Sequence, residues 1–438
     1  MRSVTTTLVL VAVLAGLGGY IYFVEMKRDP AATEAKAKAF EGVAADDIED
    51  VTIRSADGET THVTKEGDGW KLVEPVDTSA DAGEISTITG ALATLDIQRV
   101  VEEKAADLKP YGLEQARIDV SFRKKGDGTV RRILIGDKTP TGGELYAKLP
   151  DQPRVFLVSS YLDASFNKGT FALRDKRVLG MARDKVDGLE VTAGATTLQF
   201  AKRDTEWMVV KPVRARADYA AVEGAIERLN SVQMQTIADP APTNVATYGL
   251  DAPIATITAS MGSARATLTL GAMDGANVFA KDSSRPMVFT VAPTVQTDLV
   301  KEAGEYRRKD LFDARSFTAT RAEFTRDGAT VVLEKTTDKG GKDVWKTGSG
   351  TTLDLAKAED ILTKVSGLRA LSFDAVPDAA LKTPALGVVV RFDSQKSETV
   401  TFARAGTRVV AGRADEPGSA TVDTTAFDDA LKALDGLK

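Results

Sequence analysis

Two short motifs in the chain could carry nucleophilic chemistry. Ser165 and Lys168 have Ser-x-x-Lys spacing, and Lys346-Thr347-Gly348 spells Lys-Thr-Gly. In penicillin-binding enzymes such motifs set a lysine where it can take the serine proton, so that the hydroxyl attacks an acyl carbon. Three features oppose that chemistry here. No Ser-Asp-Asn stands between the motifs, Lys346 directly follows Trp345 in a segment that recurs along the chain, and Ser165 lies in a different repeat. Metal chemistry has an equally thin basis. The acidic run Asp46, Asp47, Glu49 and Asp50 could hold a cation weakly, but such runs are more often solvated faces. With one histidine, His62, and no cysteine, a site of several imidazoles or thiolates cannot be built within one chain.

The phosphate-binding loops, the Gly-x-Ser-x-Gly elbow and the calcium loop are all missing from the sequence. No catalytic, cofactor-binding or metal-binding residue is therefore expected, and the chain reads as a non-enzyme. Lys plus Arg number 57 against 63 Asp plus Glu, a net charge of −6. Without a basic excess there is no electrostatic footprint for nucleic acid. Local basic clusters do occur at residues 174–177 and 307–309. They can cap a helix or pair with acids of the next unit, or else touch a partner or a lipid headgroup; the structural role is the expected one.

The elements that position these residues recur. Trp70, Trp207 and Trp345 are 137 and 138 residues apart, in GWKLVEP, EWMVVKP and VWKTGSG. Tyr111-Gly112-Leu113 returns as Tyr248-Gly249-Leu250, and the basic cluster at Arg174 returns at Arg307. A fixed order of matches with a slowly drifting offset marks a tandem duplication. A third, weaker copy places Thr399–Gly406 against Thr129–Gly136 and Val390 against Val120, both 270 residues on, with Pro384-Ala385-Leu386-Gly387 where Tyr-Gly-Leu would be.

Each copy reads as a hairpin whose first strand is 51–54, 190–198 or 322–325, then the Trp strand. A helix follows at 81–95, 218–232 or 355–368, with Ser79, Asp81 and Asp218 as N-caps. Four more strands follow the Tyr-Gly-Leu turn, and a short helix at 159–166 or 294–302 closes the unit. The class is α+β with antiparallel sheets. Trp70, Trp207, Trp345, Tyr111 and Tyr248 are expected to anchor helix to sheet rather than to serve as ligand platforms. Gly112 and Gly249 supply a backbone conformation that a side chain disfavours.

Ahead of the repeats, residues 4–24 carry no charge and are long enough to span a bilayer, with Tyr20, Tyr22 and Phe23 at one interface. A cleaved signal peptide is the competing reading, but its apolar core is normally shorter. The expected layout is a membrane anchor at 1–28, a linker at 29–47, and repeats at 48–182, 183–316 and 317–438. The ectodomain is expected outside the cytoplasm.

Together these motifs resemble a bacterial family, domain of unknown function 4340. Its members are similar in an N-terminal membrane helix and in repeats with a Trp-Lys-x-x-x-Pro strand, a Tyr-Gly-Leu turn and an Arg-Asp-Lys closing segment. Here these are Trp70-Lys71 with Pro75, Tyr111-Gly112-Leu113 and Arg174-Asp175-Lys176; in the second copy Met208 replaces the lysine. The resemblance implies no established activity. It implies a single-pass periplasmic protein of the bacterial inner membrane, accessory to an ABC-type transporter of the gliding-motility kind, with a membrane-protein partner. The alternative is an extracytoplasmic module that binds a small molecule or a cell-wall glycan between repeats.

Overall fold

The computed structural model describes residues 37–393 and 396–437. The apolar run at 4–24 lies outside the described residues. Among the described residues, no helix is long and apolar enough to cross a membrane. The chain divides between Lys176 and Arg177 into two compact units.

The first unit holds one sheet. Its strands are β1 (Ile48–Arg54), β2 (Thr60–Glu66), β3 (Gly69–Glu74), β4 (Thr78–Ser79), β5 (Arg99–Glu102), β6 (Ile118–Lys124), β7 (Arg131–Lys138), β8 (Glu144–Lys148) and β9 (Val155–Ser159). They pair in the order β4-β3-β2-β1-β6-β7-β8-β9-β5, every pair antiparallel. Alternation in the sequence sets the faces. In β6, Ile118, Val120 and Phe122 point into the core while Asp119 and Ser121 are half-buried opposite them.

The link from β4 to β5 must join opposite edges of the sheet. Eight spacings of about 4.8 Å make a flat nine-stranded sheet about 38 Å wide. A 12-residue helix, Ala82–Ala93, supplies about 18 Å. The extended residues beside it supply about as much again. The helix therefore has to run across the face of the sheet, which explains why Ile85, Ile88 and Leu92 on its inner stripe are fully buried. Asp81 caps it, accepting from Gly83 N and Glu84 N. Ser79, the other expected cap, is instead the end of β4.

The second unit contains two more nine-stranded sheets with the same strand order. Their crossover helices, Tyr219–Asn230 and Leu355–Ser366, are capped by Asp218 and Asp354. Three copies of one unit are thus present, all antiparallel sheets crossed by a helix.

Several expectations need correction. Residues 190–198 are not one strand. The chain turns at Gly194 (φ +55) between Gly188–Ala193 and Thr196–Arg203. Strands β4 and β5, and their counterparts, go beyond these expectations; at two to five residues they are too short to show a period. Ladder register also moves the third copy. Ile118 opposite Ile135 matches Leu386 opposite Phe402, so Ile135 corresponds to Phe402, not Ala405, a slip of three, and Val120 to Val388, not Val390. A slip of two preserves the facing of every side chain, so the hydrophobic pattern alone could not detect it. The third counterpart of the Tyr-Gly-Leu turn is the single turn Ala379–Lys382, ending at Thr383 with φ −125; Leu386 already belongs to the next strand.

The boundaries shift as well. Phe40 and Val43, assigned to the linker, lie in the first core, where Phe40 meets Phe122 edge-on at 4.9 Å. Leu311, Phe312 and Ala314 belong to the third core although the third repeat was expected from 317. Val178, assigned to the first repeat, donates its N–H to Val232 O of the second.

Candidate functional site

The most densely charged buried place in the second unit is where its two repeats meet. The segment closing the second repeat brings Arg307 and Arg308 beside the edge strand Ala215–Arg216, with Ala217 and Arg307 bridged in antiparallel fashion. Against them the third repeat sets Asp313, Glu398, Arg413, Asp415 and Glu416. Glu416 is the hub. One oxygen accepts from Arg216 Nε at 2.6 Å and from Arg216 N at 3.2 Å, and the other pairs with Arg307 Nη2 at 3.0 Å. Arg216 also reaches Asp313 at 2.7 Å and Asp310 O at 2.9 Å. Arg308 joins Asp313 at 2.8 Å. Arg413 pairs with Glu398 at 3.0 Å and Asp415 at 2.9 Å, and Glu398 accepts from Asp313 N and Ala314 N.

Four guanidinium groups thus meet four carboxylates. The side chains of Arg216, Arg307, Arg413, Glu398 and Glu416 are all at least nine-tenths covered. Burial of these charges is compensated by this mutual pairing and by backbone groups that Arg216, Arg413 and Glu398 bond. Arg307 also lies 4.0 Å above the Phe373 ring, a cation–π contact across the same junction. Burial alone would push the Asp415 carboxyl up, but the hydrogen bonds and charge of Arg413 outweigh it and hold the carboxyl below its usual range.

Beside the network lies a cleft of about 520 Å³, lined among others by Trp207, Tyr219, Arg308, Lys309, Asp310 and Arg369. Its charges are largely spent on one another: Arg369 pairs with Asp310 at 3.0 Å and Arg308 with Asp313.

The tryptophans lie against their cores. Trp207 and Trp345 are buried, and Trp70 is half-buried against the first core. Each faces a lysine across the hairpin, Lys65, Lys202 or Lys335. Trp207 Nε1 donates to Glu223 at 2.9 Å. The tyrosines form a second repeated device. Tyr111 donates to Glu102 at 2.8 Å and Tyr248 to Asp239 at 2.9 Å, and those hydrogen bonds push both phenols above their ordinary value. Gly112 (φ +64) and Gly249 (φ +69) end these turns in the left-handed region. The turn carbonyls, Tyr111 O and Tyr248 O, then press onto Gly136 and Gly271, where an added Cβ would lie 2.0 and 2.2 Å away.

The catalytic candidates are engaged elsewhere. Ser165 is buried and donates to Tyr161 O, Lys168 pairs with Glu84 at 3.0 Å, and Lys346-Thr347 ends the Trp strand in a hydroxyl-lined turn with Ser349. Ser165 and Lys346 belong to different units. The acidic run also disperses. Asp47 sits 3.7 Å from Lys124, while Asp50 turns inward to His62 Nε2 at 2.8 Å and Arg123 at 2.7 Å. Among the described residues no group of three metal-ligating side chains converges. Arg174 is buried and bridges Ala80, as Arg307 bridges Ala217. The network partners Arg216, Glu398 and Glu416 were not foreseen; Glu398 alternates with apolar residues in a strand, which was the only available signal.

The chain matches the family described as domain of unknown function (DUF4340) over residues 70–208 and 207–386. It belongs to that family. The first match runs from Trp70 to Met208 and so ends in the second Trp strand, where the other begins. The first match is thus offset from the sheets, ending within the first hairpins of the second repeat, while the other runs on through the helix Leu355–Ser366 to Leu386. No curated protein matches this DUF4340 chain. Among solved structures, a DNA polymerase sliding clamp from Pseudomonas aeruginosa aligns at 8% identity over 88% of this chain and 92% of that one, with a TM-score of 0.15 that carries no argument.

Proposed function

We propose that this DUF4340 protein is a non-enzymatic, membrane-anchored scaffold on the outer side of a bacterial inner membrane, accessory to a membrane complex of the ABC-transporter type. The observation that carries this reading is the buried network centred on Glu416. It fastens neighbouring repeats through charges that cost stability unless all are paired. Such an investment holds surfaces at fixed positions rather than shaping a reaction site. The apolar run at 4–24 supports tethering. The engagement of Ser165, Lys168 and Lys346 in local structure supports a non-catalytic role.

In-cell crosslinking and affinity capture from native membranes test the reading. Recovery of a permease with its ATPase is the expected result; recovery of the protein alone contradicts it. The cleft beside Trp207 and Tyr219 favours a second reading, a ligand-binding ectodomain. Saturable binding of a small molecule or glycan fragment, lost on Tyr219→Ala, would favour that one.

A further inference from the structure

The chain enters each repeat in the same way. The entering segment bridges the stretch after the crossover helix, through Lys38 to Asp96, Arg177 to Gln233 and Asp310 to Arg369. Beside it runs the loop that follows Lys148, Lys281 or Gly412. Ladder register makes these three residues equivalent, and the next strand begins seven positions on in each copy, at Val155, Val288 or Ser419. On these frames Phe40-Glu41 matches Phe312-Asp313, and Asp151-Gln152-Pro153 matches Asp415-Glu416-Pro417.

In the second and third repeats guanidinium groups fill the corner between segment and loop. Arg285 donates to Arg177 O at 3.1 Å and pairs with Asp282 at 2.5 Å. Arg413 donates to Leu311 O at 2.5 Å and pairs with Glu398 at 3.0 Å. Arg216 and Arg308 come from the preceding repeat and reach Asp313 at 2.7 and 2.8 Å. The first repeat differs. Leu149 stands in the place of Arg413 and Gln152 in that of Arg285. Glu41 and Asp151 are exposed, and neither carboxylate has a partner among the described residues. The corner is here a cleft of about 500 Å³ with Phe40, Leu149, Pro150 and Val130 as its apolar wall. Val130, on the rim, is 60% exposed. The arginines that also line it are already neutralised, Arg131 by Asp127 at 3.0 Å and Arg132 by Asp119 at 2.8 Å.

We propose that this cleft of the first repeat receives an arginine side chain of a partner protein. The filled copies specify the guest. Asp313 holds two guanidinium groups, whereas its counterpart Glu41 and the nearby Asp151 hold none. A planar guanidinium can bond both oxygens of a carboxylate, and its aliphatic stem covers an apolar wall. The cleft is larger than one side chain, so residues flanking the arginine lie against Val130 and Pro150. Two unspent acids also select against a guest that lacks the cation. This inference rests on the scaffold reading and locates one contact of the partner.

A photo-crosslinking amino acid at position 130 of the full chain, irradiated in native membranes, tests it, with the adducts mapped by mass spectrometry. The expected adduct joins position 130 to an arginine-containing segment of another protein. Its yield is expected to fall about tenfold when Glu41→Lys and Asp151→Lys are combined, as charge reversal at two ion pairs implies. It is expected to survive Glu41→Asp with Asp151→Glu. Both acids are exposed and without partners, so all these variants are expected to melt as the wild type does. No adduct, an adduct to a segment without arginine, or an undiminished yield in the charge-reversed variant overturns the proposal. Adducts confined to residues 25–36 of the same chain make the occupant this chain's own segment and overturn the partner assignment. Equal capture of a permease and its ATPase by the wild type and the charge-reversed variant removes this surface but leaves the scaffold reading; capture of neither by either removes that reading itself.

Discussion

Substitution of Glu416 by glutamine probes the junction between the second and third repeats. The carboxylate accepts from Arg216 Nε at 2.6 Å and from Arg307 Nη2 at 3.0 Å, with all three side chains at least nine-tenths covered. The amide keeps the volume and one acceptor but removes the negative charge, leaving two buried guanidinium groups facing a neutral partner. Breaking a buried pair from one side costs about 3–5 kcal/mol, because the remaining charge stays desolvated. In a unit of this size each kcal/mol corresponds to about 2–4 °C in melting temperature, so a fall of about 6–20 °C is expected. Arg216 retains Asp313 at 2.7 Å and so buffers the loss. The lower half of the range is therefore the firmer expectation. Thermal unfolding followed by circular dichroism and calorimetry reads the shift. Arg369→Gln is the control, since Arg369 is mostly exposed and its pair with Asp310 is worth no more than about 1 kcal/mol. A Glu416→Gln variant melting within 1 °C of the wild type would refute the claim that the network holds the repeats together.

Other consequences are equally direct. Gly136→Ala or Gly271→Ala drives a Cβ into a turn carbonyl and is expected to cost about 1–3 kcal/mol in urea titration, against little for Gly128→Ala, which has open space. Asp50 carries a depressed carboxyl: burial raises it, but hydrogen bonds from Arg123 and His62 prevail. Its folded value lies below the unfolded one, so its contribution is present above about pH 4 and lost as pH falls through the folded value. Urea midpoints measured between pH 2 and 7 should fall less in Asp50→Asn than in the wild type, the remaining fall coming from other depressed carboxyls such as Asp415. Asp218→Ala and Asp354→Ala each remove a helix cap and are expected to cost about 1 kcal/mol in chemical denaturation.

Large side chains at fixed spacing made the repeats legible. Trp207 and Trp345 are buried because each copy needs an anchor between sheet and helix, and that shared need preserved the spacing. The Tyr-Gly turn was legible for a similar reason, since Gly112 answers to the left-handed φ and Gly136 to the carbonyl pressed against it. The edge strands were not legible. Thr78–Ser79 is held by pairing with β3 and by the returning segment, not by any periodicity of its own. The junction escaped notice because its residues come from distant stretches: Arg216 and Glu416 are separated by 200 positions, and neither stands in a repeated motif. In the third repeat the strand Leu386–Phe392 slips by two against its sequence match because such a slip keeps every residue on its original face, whereas Thr399–Gly406 slips by three.

The central claim is that the protein is a tethered scaffold for a membrane complex. Crosslinking in living cells, followed by affinity capture from solubilised native membranes and mass spectrometry, tests it most directly. The account predicts reproducible recovery of a permease together with its ATPase. Recovery of this protein alone, under conditions that retain known membrane complexes, would contradict it.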